Sequence, residues 1–369
     1  MSTVEPRIQG EAIHYRLFEV GYEIQLDHAA ELLASNAPER LRPLRGEAQA
    51  IQIANPPVTV LLGNETIVVD GRPRPAELSA RLFDFGVVSL RVRITAPAGT
   101  TWEEFAGFGE ALPPAEADAL FESWRDRLLA RIHAAITRPS RSTITEEYTI
   151  FRVNRLEDAA GNPFQPDKLD EHDLARLLLG ERRPLCPTAR KELISPRLSY
   201  FADDLTVLTW SAGLVVEPAI ENTDVQYVLE FANAQLLELR HYDHLLDQEL
   251  PRIYGDVVGA RRAFKMLGRR FGRLLGNIQT RVADVTESVE RVENSLKVTD
   301  DVFLARVYTT ALDIFRGPIW RRGIDRKMGL VRDTYTMLNA ESQALRTEIM
   351  ELTIIGLIAL EIVLALWRD

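Results

Sequence analysis

The chain has 369 residues, of which 46% are hydrophobic and 27% charged, a composition typical of globular proteins rather than disordered ones. The net charge of −10 is unevenly distributed, because residues 1–257 carry −14 and residues 258–369 carry +4. An acidic body of this kind does not fit a general nucleic-acid binder. The single cysteine, Cys186, excludes a framework of internal disulfides.

Residues 1–145 predict an α+β domain. The clearest strand covers residues 88–95, where Val, Leu, Val and Ile alternate with Ser, Arg, Arg and Thr. This alternation predicts one buried face and one exposed face. A turn is expected at Gly63-Asn64-Glu65, between strands at 58–62 and 67–69. Thr101, with Glu104 three residues later, predicts the capped start of a helix, and a second helix is expected from about residue 115 to residue 136.

Residues 146–222 form a second α+β segment with a similar order of elements. A strand is expected at 148–153, a helix at 170–179, and a hairpin formed by 198–201 and 205–210. The shared order suggests an internal duplication of the first segment. The alternative is that hairpins within one α+β domain resemble each other.

Residues 223–351 predict a helical bundle with coiled-coil character. Apolar residues recur at alternating steps of three and four, the spacing of a helix that packs along one stripe. The segment Thr299-Asp300-Asp301 is expected to cap a short helix that ends near Phe315, and Arg316-Gly317-Pro318 is expected to be a turn. The last of the three stripes comprises Ile324, Met328, Val331, Tyr335, Leu338, Ser342, Leu345, Ile349 and Leu352.

Residues 352–367 form an apolar tail in which hydrophobic side chains cover every side of the expected helix. Its sixteen residues would extend about 24 Å, against about 30 Å of hydrocarbon in a bilayer. The pattern predicts a tail anchor in a membrane, with the body on the cytoplasmic face; the alternative is an oligomer core in which Glu361 marks the contact between chains. The residues expected at this membrane or oligomer surface are Ile355, Leu357, Leu360, Glu361, Leu364 and Trp367.

The tail from Glu351 to Leu364, with its glutamate inside an apolar run, resembles the ending of the family named for "required for meiotic nuclear division". The helix opening at 227–243, after the strand at 204–210, is similar in placement, so the resemblance covers residues 198–369. This family of mitochondrial and bacterial proteins shares a domain of unknown function. The resemblance implies C-terminal membrane association, for which we expect a bacterial inner membrane, and higher oligomers. In mitochondria it implies support of organellar protein synthesis, and it supplies no catalytic residues.

One group of residues could carry chemistry. Glu238, His241 and His244 are spaced by three, so neighbours share a helix face, and Glu-x-x-His is a unit used in di-metal bundles. Such a site needs a second helix, and the sequence holds no other Glu-x-x-His, although a second copy of the chain could supply one. These three residues are therefore weak metal candidates, and the alternative is a polar, solvated helix face. No cofactor is predicted.

A basic run at residues 261–273 overlaps the start of the second stripe of the bundle and could contact phosphates. Phe264 and Phe271 lie within it and could stack on bases, but Phe271 also falls on the stripe, which favours packing. Contact with the acidic body is the preferred interpretation, and nucleic acid is the alternative. The basic residues are Arg261, Arg262, Lys265, Arg269, Arg270 and Arg273.

No phosphate-binding loop, dinucleotide turn, zinc-protease motif or nucleophile elbow occurs in the sequence. The sequence therefore predicts a non-enzymatic, membrane-anchored scaffold whose partners are further copies of itself and a lipid bilayer. The alternatives are a metal-dependent enzyme with a helix-borne Glu/His site and an RNA-associated factor.

Overall fold

The computed structural model describes residues 6–40, 51–53, 55–69, 71–169, 171–194, 196–218, 224–263, 276, 280, 283, 286–287, 296–298 and 301–368. The chain divides into two compact units. The first comprises Met1–His241 and Ser288–Ile319, and the second comprises Tyr242–Glu287 and Trp320–Asp369. The predicted mixed α/β body with helices at the C-terminal end is confirmed.

The described strands, in chain order, are β1 (Arg7–Glu19), β2 (Gly21–Ile24), β3 (Glu39–Arg40), β4 (Ile51–Ile53), β5 (Val58–Val69), β6 (Arg72–Leu82), β7 (Val87–Thr101), β8 (Ile136–Pro139), β9 (Thr145–Glu157), β10 (Arg197–Leu198), β11 (Leu205–Leu208), β12 (Ala212–Val216) and β13 (Leu296–Val298). The described α-helices are α1 (Leu26–Leu32), α2 (Trp102–Gly109), α3 (Pro114–Ile132), α4 (Glu171–Leu179), α5 (Pro187–Leu193), α6 (Asp224–Ala263), α7 (Val302–Ile314) and α8 (Gly317–Arg368).

A nine-stranded sheet organises the first unit, in the order β10-β11-β12-β9-β1-β7-β6-β5-β3. Strand β1 lies at its centre and pairs antiparallel with β7 on one side and β9 on the other. Strand β12 pairs parallel with β9. Strands from residues 1–145 and from residues 146–222 therefore lie in one continuous sheet. The internal duplication stays a prediction.

One face of the sheet carries the main hydrophobic core of the first unit. Side chains of alternate strand residues, among them Val92 and Ile94, pack there with Trp102 and Phe105 of α2 and Phe121 of α3. Burial of apolar surface stabilises a protein by roughly 25 cal/mol per Å² removed from water, so this face provides much of the folding free energy. The buried face that the alternation predicted for β7 is therefore confirmed.

The opposite face was predicted to be exposed along β7, and this is wrong for two of its residues. Ser89 and Arg91 are buried, whereas Thr95 near the end of the strand is exposed. The first part of α6 covers this face: Glu230 forms an ion pair with Arg81 of β6, and Gln226 Nε2 donates to Tyr15 Oη at 2.7 Å. The helix lies more than a hundred residues further along the chain, so local alternation does not reveal it.

The first part of α6 is buried on every side, which a one-sided apolar stripe did not predict. Leu229, Ala232 and Leu236 on the stripe are buried, but so are residues between them, including Glu230 and Glu238. A helix buried all round lies within a layer rather than on a surface. On the side away from the sheet, Tyr308 of α7 donates its hydroxyl proton to Gln235.

Three local predictions have clear outcomes. The capping box is confirmed, because Thr101 Oγ1 accepts from the Glu104 amide at 3.1 Å and the Glu104 carboxylate accepts from the Thr101 amide at 3.0 Å. The cap on α7 is also confirmed, since Asp301 accepts from two amides of the first turn. The turn at Gly63-Asn64-Glu65 is wrong: β5 continues through these residues, with a register shift between Leu61 and Gly63.

The second unit contains the later part of α6 and nearly all of α8. Lys327 Nζ lies 2.7 Å from Asp243 Oδ1 and 2.6 Å from Asp247 Oδ1, and so joins the two helices. Ile324, Met328 and Val331, the first residues of the predicted stripe on α8, are buried. Helix α8 has 52 residues and ends at Arg368. Whether these helices form a coiled coil between chains stays a prediction.

Candidate functional site

The three residues of the predicted metal site all lie on α6. Glu238 is buried, His241 is half-buried, and His244 Nε2 lies 2.7 Å from the amide of Gln248 on the same helix. Within the described residues, no three His, Cys, Asp or Glu side chains are grouped so as to hold a metal ion. The metal site stays a prediction without support from the geometry of these side chains.

His241 instead takes part in a polar cluster at the end of β1. Its Nδ1 lies 3.2 Å from Ser142 Oγ and 3.9 Å from Glu19 Oε2. Ser140 Oγ donates to the Glu19 carboxylate, at 2.6 and 2.8 Å from its two oxygens. Burial raises the pKa of Glu19 to about 7, although hydrogen bonds from Ser140 and the Gly21 amide favour the charged form. A carboxyl group with this pKa exchanges its proton near neutral pH.

A second carboxyl group lies beside this cluster. Glu146 of β9 pairs with Arg240 of α6. Burial nevertheless raises the pKa of Glu146 to about 6, because the loss of hydration outweighs the attraction of Arg240. The junction between the sheet and α6 therefore holds two carboxyl groups with elevated pKa values.

The geometry of the cluster differs from that of a hydrolytic triad. In a triad the nucleophile and the carboxylate approach opposite nitrogens of the histidine. Here Ser142 Oγ and the Glu19 carboxylate both lie nearest to Nδ1 of His241. The arrangement can bind and release protons, but it does not align a serine with a general base in the manner of that catalytic device.

The apolar face of the sheet contains a cavity of about 250 Å³, bounded by β1, β9, α2, α3 and α4. His14 lies in its wall with both ring nitrogens in hydrogen bonds: Nε2 is 3.0 Å from the Phe108 carbonyl and Nδ1 is 3.2 Å from Thr149 Oγ1. Burial lowers the pKa of His14 to about 4, so the ring is neutral at physiological pH. A neutral histidine with both nitrogens satisfied is a structural residue of this wall.

Two arginines lie at the rim of the same cavity. Arg16 forms 2.8 Å ion pairs with Asp118 and Glu147. Arg176 pairs with Glu110 at 2.6 Å and with Glu103 at 3.2 Å. Each guanidinium thus has two carboxylates as partners, and these ion pairs join α3 and α4 to the strands and helix beneath them.

A third polar group lies on the other face of the sheet and was not expected from the sequence. Arg81 and Arg91, on neighbouring strands, both approach the Glu230 carboxylate, Arg81 in a direct ion pair and Arg91 at 4.0 Å. The Arg81 guanidinium also lies over the ring of Tyr227, 5.2 Å from its centroid. The local signal was Arg91 at one of the alternating polar positions of β7, a pattern that is more common on an exposed face.

The predicted surface residues of the tail are helical and exposed. Ile355, Leu357, Leu360 and Leu364 each expose more than half of their surface, Glu361 is exposed, and Trp367 is 91% exposed. None of the helices in the described part of the chain combines the length and apolar composition required to cross a bilayer.

The basic patch falls mainly outside the described residues. Lys265, Arg269, Arg270 and Arg273 lie there, and Arg261 and Arg262 belong to the last turn of α6 without described side-chain positions. Contact of these residues with the acidic body or with nucleic acid stays a prediction.

These features define the first unit as a mixed α/β domain built on one large sheet, with polar clusters on both faces. The chain belongs to the family described as "Uncharacterized protein MJ0711, N-terminal domain", whose model matches residues 9–223. It is similar to "Uncharacterized protein MJ0711" of Methanocaldococcus jannaschii, with 24% identity over 222 residues. The alignment covers 60% of this chain and 66% of the archaeal protein. No solved structure matches the chain.

The prediction that the chain belongs to an uncharacterised family is thus confirmed. The family match lies over residues 9–223, whereas the sequence resemblance rested mainly on residues 198–369. The match does not extend to the family named for meiotic nuclear division.

Proposed function

We propose that the protein is a non-enzymatic scaffold that assembles with further copies of itself through the end of α8. The supporting observation is the exposure of nearly every large apolar side chain from Leu352 onward. Soluble monomers rarely expose contiguous apolar patches of more than a few hundred Å². The exposed residues are Leu352, Ile354, Ile355, Leu357, Ile358, Leu360, Ile362, Val363, Leu364 and Trp367.

The free energy associated with this surface is large. Each of these side chains exposes roughly 100 Å², so together they present on the order of 1,000 Å² of apolar area, equivalent to about 25 kcal/mol if fully buried. Association opposes this with about 4–15 kcal/mol of lost translational and rotational freedom, before the ordering of side chains is counted. Because a second copy buries the same surface of its own, the apolar contribution of a pair at full burial is about 50 kcal/mol, which exceeds this cost.

The occupant that we propose is a second copy of the chain rather than lipid. Glu361 is exposed in the middle of the apolar run, where a bilayer would impose a high cost on its charge. The three-and-four spacing that begins at Ile324 continues through residue 352, and this spacing suits a helix against a helix. The resemblance to the family named for meiotic nuclear division implies higher oligomers, which agrees with self-association, and also C-terminal membrane association, which the experiment below tests.

The experiment measures the mass of the intact particle by light scattering, without detergent. We expect the wild-type chain to be a discrete oligomer and Leu360→Glu to be a single chain, because a carboxylate at the centre of the apolar surface prevents its burial. Val302→Glu is the matched control, since Val302 is 81% exposed at the start of α7 and its replacement leaves the tail intact.

Three results would overturn the proposal. The first is a wild-type protein that is a dispersed single chain at all concentrations. The second is an oligomer that is unchanged in Leu360→Glu. The third is a protein recovered only with detergent or lipid vesicles, which would replace self-association by the predicted membrane anchor.

The two alternatives have separate tests. Stoichiometric metal in the purified protein, lost in His241→Ala, would support the enzyme with a Glu/His site. RNA binding abolished by charge reversal at Arg269, Arg270 and Arg273 would support the RNA-associated factor.

A further inference from the structure

The polar group between the sheet and α6 contains more positive than negative charge. Arg81 and Arg91 expose 7% and 6% of their side chains, and both depend on the single carboxylate of Glu230, which is fully buried. The other charged neighbour of Arg91 is Arg93, and the nearby phenol of Tyr15 is kept neutral by burial, which raises its pKa. Among the ion pairs of the described residues, these two guanidinium groups share one carboxylate.

Arg93 does not alter this balance, because it has acidic partners of its own. Its guanidinium lies 3.6 Å from both Glu11 and Glu77. Burial, together with the neighbouring Arg81, lowers the pKa of Arg91 to about 10, so the group remains charged at neutral pH. An uncompensated buried charge typically costs several kcal/mol.

Several hydrogen-bonding atoms around this charge also lack partners in the described part of the chain. They are Ser89 Oγ, Arg91 Nε, Gln226 Oε1, Tyr227 Oη and Glu230 Oε1, and each is fully buried. Buried polar groups in native proteins are nearly always hydrogen-bonded, to protein, water or a ligand. This concentration of unsatisfied atoms marks a place where the folded chain alone does not complete its polar interactions.

Of the residues in this group, Arg91 also lines a groove of about 570 Å³ that runs across β5, β6 and β7. Arg91 lines it together with Ser79, which is its direct partner in the β6–β7 pairing, and Thr59 of β5. The 3₁₀ turn at Ala34–Asn36 forms one wall of the groove. The volume falls in the range of pockets that hold small molecules, and it is too small for a folded partner.

We propose that this groove binds a small molecule through an oxyanion, a carboxylate or phosphate group, that pairs with Arg91. Such a group supplies a second negative charge, and guanidinium is the side chain best suited to bind it with two parallel hydrogen bonds. The hydroxyl of Ser79 lies on the neighbouring strand as a further donor. Glu39 and Glu77, which also line the groove, fit a ligand that carries hydroxyl or amino groups away from its anionic end.

The test titrates the full chain with sodium phosphate and with sodium acetate, each against sodium chloride at equal ionic strength, by calorimetry and thermal unfolding. We expect saturable binding of at least one oxyanion and a midpoint about 3 °C higher at tenfold excess over Kd. The comparison of phosphate with acetate identifies the favoured oxyanion. Equal behaviour in all three salts would overturn the proposal.

Two substitutions separate a binding role from a structural one. Arg91→Met should weaken oxyanion binding at least tenfold. Ser79→Asp places a carboxylate opposite Arg91, so it should raise the unfolding midpoint in chloride buffer and abolish the response to added oxyanion. Arg152→Met is the control: Arg152 is similarly buried in the same sheet and pairs with Glu11 at 3.4 Å, but it does not line the groove. This variant should lose stability and keep the oxyanion response.

If Arg91→Met does not fold, Ser79→Asp still decides the question. A Ser79→Asp protein that binds the oxyanion as the wild type does, or that is less stable than the wild type in chloride, would overturn the proposal.

Discussion

Replacing Glu19 with Gln should remove a large part of the pH dependence of stability. The side chain is 5% exposed, and burial raises the pKa of Glu19 from its ordinary value of 4.5 to about 7. Between these two values the folded protein holds a proton that the unfolded chain releases. Folding is therefore favoured at low pH, and this contribution is lost as the pH rises through 7.

The magnitude follows from the difference in pKa. Each unit corresponds to 1.36 kcal/mol, so the wild type should lose about 3 kcal/mol from this group between pH 4.5 and pH 8. The amide of glutamine does not titrate and can still accept the hydrogen bond from Ser140 Oγ. Glu19→Gln should therefore be nearly as stable as the wild type at pH 5 and about 3 kcal/mol more stable at pH 8.

The assay is urea unfolding of both proteins at pH 5, 6, 7 and 8, followed by tryptophan fluorescence and far-ultraviolet circular dichroism. Glu31→Gln, at an exposed position of α1, controls for the general loss of one negative charge. Parallel stability curves for the wild type and Glu19→Gln across this range would refute the reasoning. Such a result would mean that Glu19 is ionised in the folded protein at pH 5.

Three further predictions concern local structure. Thr101→Ala and Asp301→Ala should each reduce the free energy of unfolding by about 1 kcal/mol in urea titrations, because each removes a helix cap; no change would mean that water replaces the cap. Gly86→Ala should lower the yield of folded protein sharply, since φ is +91° and the new Cβ would lie 1.7 Å from the Gly21 carbonyl oxygen. Gly99→Ala, at φ +86° with open space around it, should cost only about 1 kcal/mol, and equal losses at the two glycines would contradict this reading. Glu146→Gln should reduce the loss of stability that the wild type shows as the pH rises through 6. The effect should be smaller than that of Glu19→Gln, because the pKa of Glu146 is raised less.

Local signals in the sequence predicted local structure well. The threonine and aspartate caps and the apolar face of β7 depend on residues within a few positions of each other. The continuous strand through Gly63 was missed because a glycine followed by asparagine usually indicates a turn, whereas here the pairing of β5 with β6 extends on both sides of an irregularity. Strand pairing in the folded protein overrides the local preference of these residues for a turn.

The candidate sites were less predictable, because they depend on residues that are distant in the chain. Glu19, Ser140 and His241 meet only when β1, the segment after β8 and α6 are assembled. Arg91 looked like a solvated residue because nothing near it in the sequence indicates that α6 covers that face. The Glu-x-x-His spacing correctly placed Glu238 and His241 on one helix, but it could not show that Ser142 and Glu19 lie beside His241.

The central position of β1 has a consequence for synthesis on the ribosome. Strand β1 is synthesised before both of its partners; β7 can cover one of its edges early, but β9 begins only at Thr145. Until then, thirteen residues of nascent chain present a row of unpaired amide and carbonyl groups to any neighbour. Fragments that terminate before β9 should therefore aggregate in the cell, and their survival should depend on chaperones that shield this edge during translation.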